Sequence, residues 1–174
     1  MAEATICPSC KNDYAQRLRE GVPPGLPKEK HGEEVIQSLH YGSTWKLVGL
    51  GIITYGIYYA HYIKRQTTIL NQSLPEDRRI RDSFPKVILG ASYLSLVLVI
   101  AYFIVDDSTE IDAASSAVDS ICNILILVWG FKARNRMNEC IKADPKSKRW
   151  FNGLLTFFLT PLYFNYKINK LNEE

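Results

Sequence analysis

The chain has 174 residues, 22% of them charged, with a net charge of +3 at pH 7. The length fits one domain, with or without a tail, and so small and scattered a positive excess excludes an electrostatic binder of nucleic acid. A mean hydropathy of −0.10 looks like that of an ordinary soluble protein, but it averages over a chain whose polarity is unevenly placed.

Residues 1–40 read as a polar N-terminal tail rich in Lys, Glu, Gly and Pro. The chain opens Met-Ala-Glu-Ala-Thr, so no cleavable signal peptide is expected. Cys7-Pro8-Ser9-Cys10 is half of a zinc-ribbon knuckle. A structural zinc takes four ligands, usually from two such pairs, and no second pair follows; two chains sharing one metal, or His31 and His40, would complete the set. The reading here is a zinc site at Cys7 and Cys10, incomplete within one chain, set against no metal at all or a redox pair. Redox work needs a strand-to-helix setting that lowers one thiol's pKa, which Pro23-Pro24-Gly25-Leu26-Pro27 does not supply.

Four later stretches are almost free of charge: Leu47–Ile63, Val87–Val105, Ala113–Phe131 and Trp150–Ile168. Each comes within a few residues of the roughly 20 apolar residues a helix needs to cross a bilayer. The fold class expected is therefore all-α, an integral membrane helical bundle over residues 41–174 with about four apolar segments. A central hairpin over 87–131 is flanked by the segments 47–63 and 150–168. The first flank is interrupted by Gly49, Gly51, Thr54, Gly56 and His61, the last by Asn152, Gly153, Pro161 and Asn165. Interrupted backbone persists at membrane depth only where protein or a wet cavity satisfies its polar groups, which favours flanks that turn back or lie in the interface over flanks that cross.

Basic residues set the topology. Lys64, Arg65, Arg78, Arg79, Arg81 and Lys86 follow the first stretch, and Lys132, Arg134, Arg136, Lys142, Lys146, Lys148 and Arg149 follow the third. The loop 106–112 between the second and third is acidic, with no Lys or Arg. Positive segments stay cytoplasmic, so this loop is expected outside and both termini inside, in a multi-pass protein of the bacterial inner membrane. The basic segments should rest on the inner leaflet.

Sliding the chain against itself by about 105 positions, as a search for repeats requires, aligns the first and fourth stretches. Trp45 falls on Trp150, Leu50 on Leu155, Gly56 on Pro161, Tyr58 on Tyr163, Ile63 on Ile168 and Arg65 on Lys170. Ile52-Ile53-Thr54-Tyr55-Gly56-Ile57-Tyr58-Tyr59, with a basic-polar stretch ending at Leu70-Asn71, resembles the signature of the DUF4234 membrane proteins. Leu162-Tyr163-Phe164-Asn165-Tyr166-Lys167-Ile168-Asn169 is similar to the closing motif of related sequences, so the resemblance covers residues 45–174. It implies a multi-span membrane protein and brings no catalytic residues.

Ionisable groups at membrane depth mark candidate sites. Asp119 shares a helix face with Ser116, Ser120 and Asn123. That face either lines a polar crevice or packs closely on Gly90, Ala91, Ser92 and Ser95 of the second stretch. Cys122 reads as a small packing residue. His61 lies one turn before Lys64 and Arg65 and marks either the headgroup zone or a ligand. Matched breaks in a repeat point to a binding site in transporters, here among Thr54, Gly56, Tyr58, His61, Thr160, Pro161, Tyr163 and Asn165.

No constellation is spaced for catalysis. The function expected is a non-enzymatic scaffold, sensor or interaction module with a cytoplasmic tail and basic loops. Its partners would be the lipid bilayer and either a second copy or a cytosolic protein, with no nucleic acid. The alternative is a small oligomeric transporter or channel with an intramembrane site around Asp119, Asn123 and the breaks at Gly56 and Pro161.

Overall fold

A computed structural model describes residues 32–105 and 109–173. The regular elements among them are all helical: α1 Gly32–Leu39, α2 Thr44–Ile53, α3 Ile57–Gln72, α4 Ser83–Ile104, α5 Thr109–Cys140 and α6 Gly153–Asn172, with a 3-10 turn at Glu76–Arg78. Most of the tail, including Cys7, Cys10 and His31, lies outside the described residues, as do Asp106 and Asp107 of the acidic loop.

Two helices, α4 and α5, are long and apolar enough to cross a membrane, rather than the four segments expected. α4 has 22 residues, about 33 Å at 1.5 Å each, and is apolar on all sides. Only 17% of its most apolar stretch is buried, and 11% of that of α5. A core helix of a water-soluble protein would be mostly covered. The flanks fall short for a physical reason: each folds back near its middle. α2 has ten residues, about 15 Å, too short to cross.

The first fold-back is a helix stop. The Gly56 amide bonds to the Gly51 carbonyl at 2.7 Å and the Tyr55 amide to that of Ile52 at 3.2 Å, the paired bonds of a Schellman ending. Tyr55 (φ 50) and Gly56 (φ 83) are both left-handed, which turns the chain around. The returning α3 lies so close to α2 that a Cβ on Gly51 would overlap the Tyr59 ring.

The second fold-back lies inside α6. From Asn152 to Tyr163 a straight helix would climb about 16 Å, yet the Asn152 amide donates to the Tyr163 hydroxyl at 2.8 Å. Further down, Lys167 Nζ donates to the Lys148 carbonyl. α6 is therefore sharply bent around Pro161, whose ring removes a helix hydrogen bond. Thr156 and Thr160 donate back to the Asn152 and Thr156 carbonyls at 2.8 and 2.6 Å, a habit that bends helices. The sequence echo thus has a structural counterpart: Gly56 and Pro161 both sit at fold-backs.

The packed core gathers where the ends of these arms meet the charged ends of α4 and α5. Trp129 is fully buried, with Tyr62 and Phe164 ring centroids at 6.4 and 5.5 Å and its indole N–H donating to Thr67 Oγ1 at 2.8 Å. α1 falls within the stretch read as tail, but its Val35, Ile36 and Leu39 share one face and are buried in this core. Two asparagines brace the connectors. Asn71 donates to the Ile80 carbonyl at 2.7 Å and accepts from its amide at 2.9 Å. Asn138 does the same to Phe151, at 3.3 and 2.9 Å. Each carboxamide stands in for a neighbouring strand, so buried extended backbone keeps its partners.

Candidate functional site

The tips of the arms carry polar groups to the middle of the α4–α5 hairpin. Ser95 of α4 donates to Asp119 Oδ1, and the Tyr55 hydroxyl donates to Asp119 Oδ2 at 3.3 Å. Tyr55 occupies the left-handed region, where a bulky residue is a genuine outlier, and the same turn directs its phenol to Asp119. One turn below on α4, Ser92 Oγ lies 3.7 Å from Cys122 Sγ and donates to the Ile88 carbonyl. Asp119 and Cys122 thus both face α4.

The other singled-out residues divide between this cluster and the scaffold. His61 Nε2 lies 3.0 Å from the Tyr93 hydroxyl, the two rings meeting edge to face. Thr54 Oγ1 donates to the Leu50 carbonyl at 2.7 Å and accepts from the Tyr58 amide at 3.0 Å, tying α2 to the first turn of α3. The Tyr58 hydroxyl lies 3.0 Å from that of Tyr41; this bond, followed by burial, pushes the Tyr41 phenol above its ordinary pKa. Asn165 donates to the Gly42 carbonyl at 3.2 Å and to Thr44 Oγ1 at 3.1 Å, fastening the second arm to the start of the first. Thr160 fits against Gly130, where a Cβ would overlap its methyl. Asn123, Thr160 and Pro161 line one shallow hollow of about 420 Å³ with Tyr59 and Phe158. The expected residues therefore do not converge on a single pocket.

Sequence reasoning missed two features. Tyr55 sits among the quoted motif residues but was not singled out, because only the left-handed turn aims it at Asp119. The other is a groove of about 590 Å³ at the charged end, walled by Gly32, Ser73, Leu74, Cys140 and Lys142. Ion pairs stand at its edge, Arg149 with Glu33 at 2.5 Å and Arg78 with Glu139 at 2.6 Å. Those partners are 116 and 61 residues apart, so no local pattern announces them. Among the described residues no three His, Cys, Asp or Glu side chains are placed to share a metal.

A family model, the domain of unknown function DUF4234, matches residues 42–139. The match covers α2 to all but the last residue of α5 and stops before α6, so it is narrower at the C-terminal side than the motif resemblance. No curated protein matches the chain, and no solved structure matches it.

Proposed function

The chain belongs to the DUF4234 family, and on that premise we propose that it is a non-enzymatic integral membrane protein acting as a scaffold, sensor or interaction module. In this reading α4 and α5 cross the bilayer of a bacterial inner membrane with the loop 106–112 outside. The two folded-back arms dip into the cytoplasmic leaflet, and the core, the groove and the tail face the cytosol. The placement of charge supports this: no Lys or Arg occurs in Leu47–Ile63, Val87–Phe131 or Trp150–Tyr166.

The observation that carries the interaction role is the groove edged by Arg149–Glu33 and Arg78–Glu139, with Gly32 at the start of α1 in its wall. The polar groups at depth, by contrast, are engaged with one another. A cytosolic protein is the partner class, with zinc at Cys7 and Cys10, whose two thiolates would supply half of a tetrahedral set. The test is proximity labelling in cells of the full chain against a Glu33→Arg, Glu139→Arg double variant. A set of cytosolic neighbours lost from the variant is expected; identical neighbours would sink the role of the groove. Sidedness is read with an impermeant thiol reagent on Cys7 and Cys10 after replacing Cys122 and Cys140. Protection that vanishes on permeabilisation is expected, and labelling of intact cells overturns the cytoplasmic tail.

Transport is the second reading, favoured by Asp119 lying with Ser95 and Tyr55 near mid-hairpin. It requires ion or solute flux in liposomes above that of empty vesicles, reduced by Asp119→Asn.

A further inference from the structure

The two ends of the hairpin differ in what surrounds them. From Val87, the first residue of the apolar part of α4, to Ser95 is about 12 Å of helix, and from Phe131 back to Asp119 on α5 about 18 Å. Ser95 and Asp119 meet the tip of the first arm at Tyr55. The second arm packs Thr156 and Thr160, beside its turn, on Gly130, nearer the charged end of α5, and its Phe157 and Phe158 line a hollow with Asn123 and Ile124. The first arm therefore ends about halfway through a hydrocarbon layer of about 30 Å, and the second stays within the same half. Beyond Ser95 no residue of α4 is buried, and before Asp119 only Ser115 of α5 is. The arm surfaces are themselves apolar and uncovered, with Ile53 80% and Phe158 70% exposed.

One half-layer thus holds six helical limbs, namely α2, the start of α3, both limbs of α6, and the near halves of α4 and α5. Among the described residues, the other half-layer holds only the far halves of α4 and α5. Each limb with its side chains occupies a cylinder about 10 Å across, so the body is a wedge, broad at the charged end and narrow at the far end. A wedge displaces more lipid from one leaflet than from the other, and the bilayer relieves the mismatch by bending so that the crowded leaflet lies on the outside of the curve. Shallow apolar insertions couple to curvature in the same way.

From this geometry we propose that the protein senses membrane curvature, and promotes it when crowded, concentrating where the leaflet at its charged end is convex. The lipid surface is the ligand, and the two arms are the sensing device. The proposal rests on the reading that α4 and α5 cross while the arms enter from one side, and the experiment separates the two.

The full chain, carrying Lys146→Cys with its other four cysteines replaced by serine, is reconstituted at low density into fluid vesicles of mixed diameter. Molecules with the charged end outward are labelled from outside with an impermeant dye, and their density is read vesicle by vesicle. Outward molecules about threefold denser at about 50 nm than at about 400 nm are expected. An Ile53→Asp, Phe158→Asp variant, whose arms are driven out of the hydrocarbon while the hairpin is untouched, should remain incorporated and lose the preference. Protein that incorporates with equal density at all diameters overturns the curvature proposal but leaves the membrane reading standing; a second copy filling the narrow half would produce this result. Enrichment in the largest vesicles overturns the proposal as well. Protein that does not incorporate at all overturns both.

Discussion

At the charged end Trp129, Tyr62 and Phe151 are fully buried, whereas at the far end of the hairpin Phe103 and Ile104 stand 80% and 75% exposed. The two ends use the same kinds of residue under opposite rules. Around Trp129, burial against Tyr62, Phe164 and Thr67 stabilises the fold as in any well-packed core. Around Phe103 apolar side chains point outward, and α4 is held to α5 by close packing through Ser92, Ser95, Ser115 and Cys122, the small contacts that serve where the surroundings are lipid, as proposed above. Stability should therefore be concentrated at one end, and substitution separates the two regimes.

The largest effect is expected from Trp129→Ala, which empties the centre of the core and strips Thr67 of its indole donor. A loss of about 3–5 kcal/mol should appear as a lowered unfolding midpoint in detergent titrated with denaturant. Asn138→Ala comes next. It leaves both polar groups of Phe151 without the carboxamide, at about 1–3 kcal/mol, and protease should nick the 141–152 connector of the variant faster than that of the parent. Tyr55→Phe should cost about 0.5–1.5 kcal/mol, the net value of a single hydrogen bond. Tyr55→Gly, which loses the same bond but relaxes a strained left-handed residue, should be no less stable than Tyr55→Phe. Smallest of all, Phe103→Ala should move the midpoint by less than about 0.5 kcal/mol. A loss there as large as that of Trp129→Ala would mean that the far end is packed against something after all.

The helical class, the central hairpin and the interrupted flanks were all legible in the sequence, because length and uninterrupted hydropathy are local properties. Gly56 and Pro161 were readable as breaks, and their alignment in the echo marked both fold-backs. Hydropathy could not say that each flank turns back at its break: Leu47–Ile63 has the composition of a crossing helix, and only the bonds from Gly56 to Gly51 and from Asn152 to Tyr163 show the reversal. Of the candidate site, Asp119 was readable as an ionisable residue inside an apolar stretch. Its partners were not, since Ser95 and Tyr55 are 24 and 64 residues away. Thr54, Tyr58, Thr160, Tyr163 and Asn165 drew notice as polar groups in apolar stretches, and each makes a hydrogen bond that shapes or fastens an arm. A polar residue that braces a bend and one that binds a ligand leave the same mark on a sequence.

The asparagine braces also bear on how the chain is made. Asn71 reaches Ile80 and Asn138 reaches Phe151 across only 9 and 13 residues, so each corner can close soon after it leaves the ribosome. The clasp from Asn165 to Gly42 spans 123 residues, and the Arg149–Glu33 pair 116. During synthesis the Gly42 end of the first arm therefore stays unfastened until Asn165 has been made. A nascent chain halted before Asn165 should display that end to proteases and chaperones, and a chain carrying Asn165 and released from the ribosome should withdraw it.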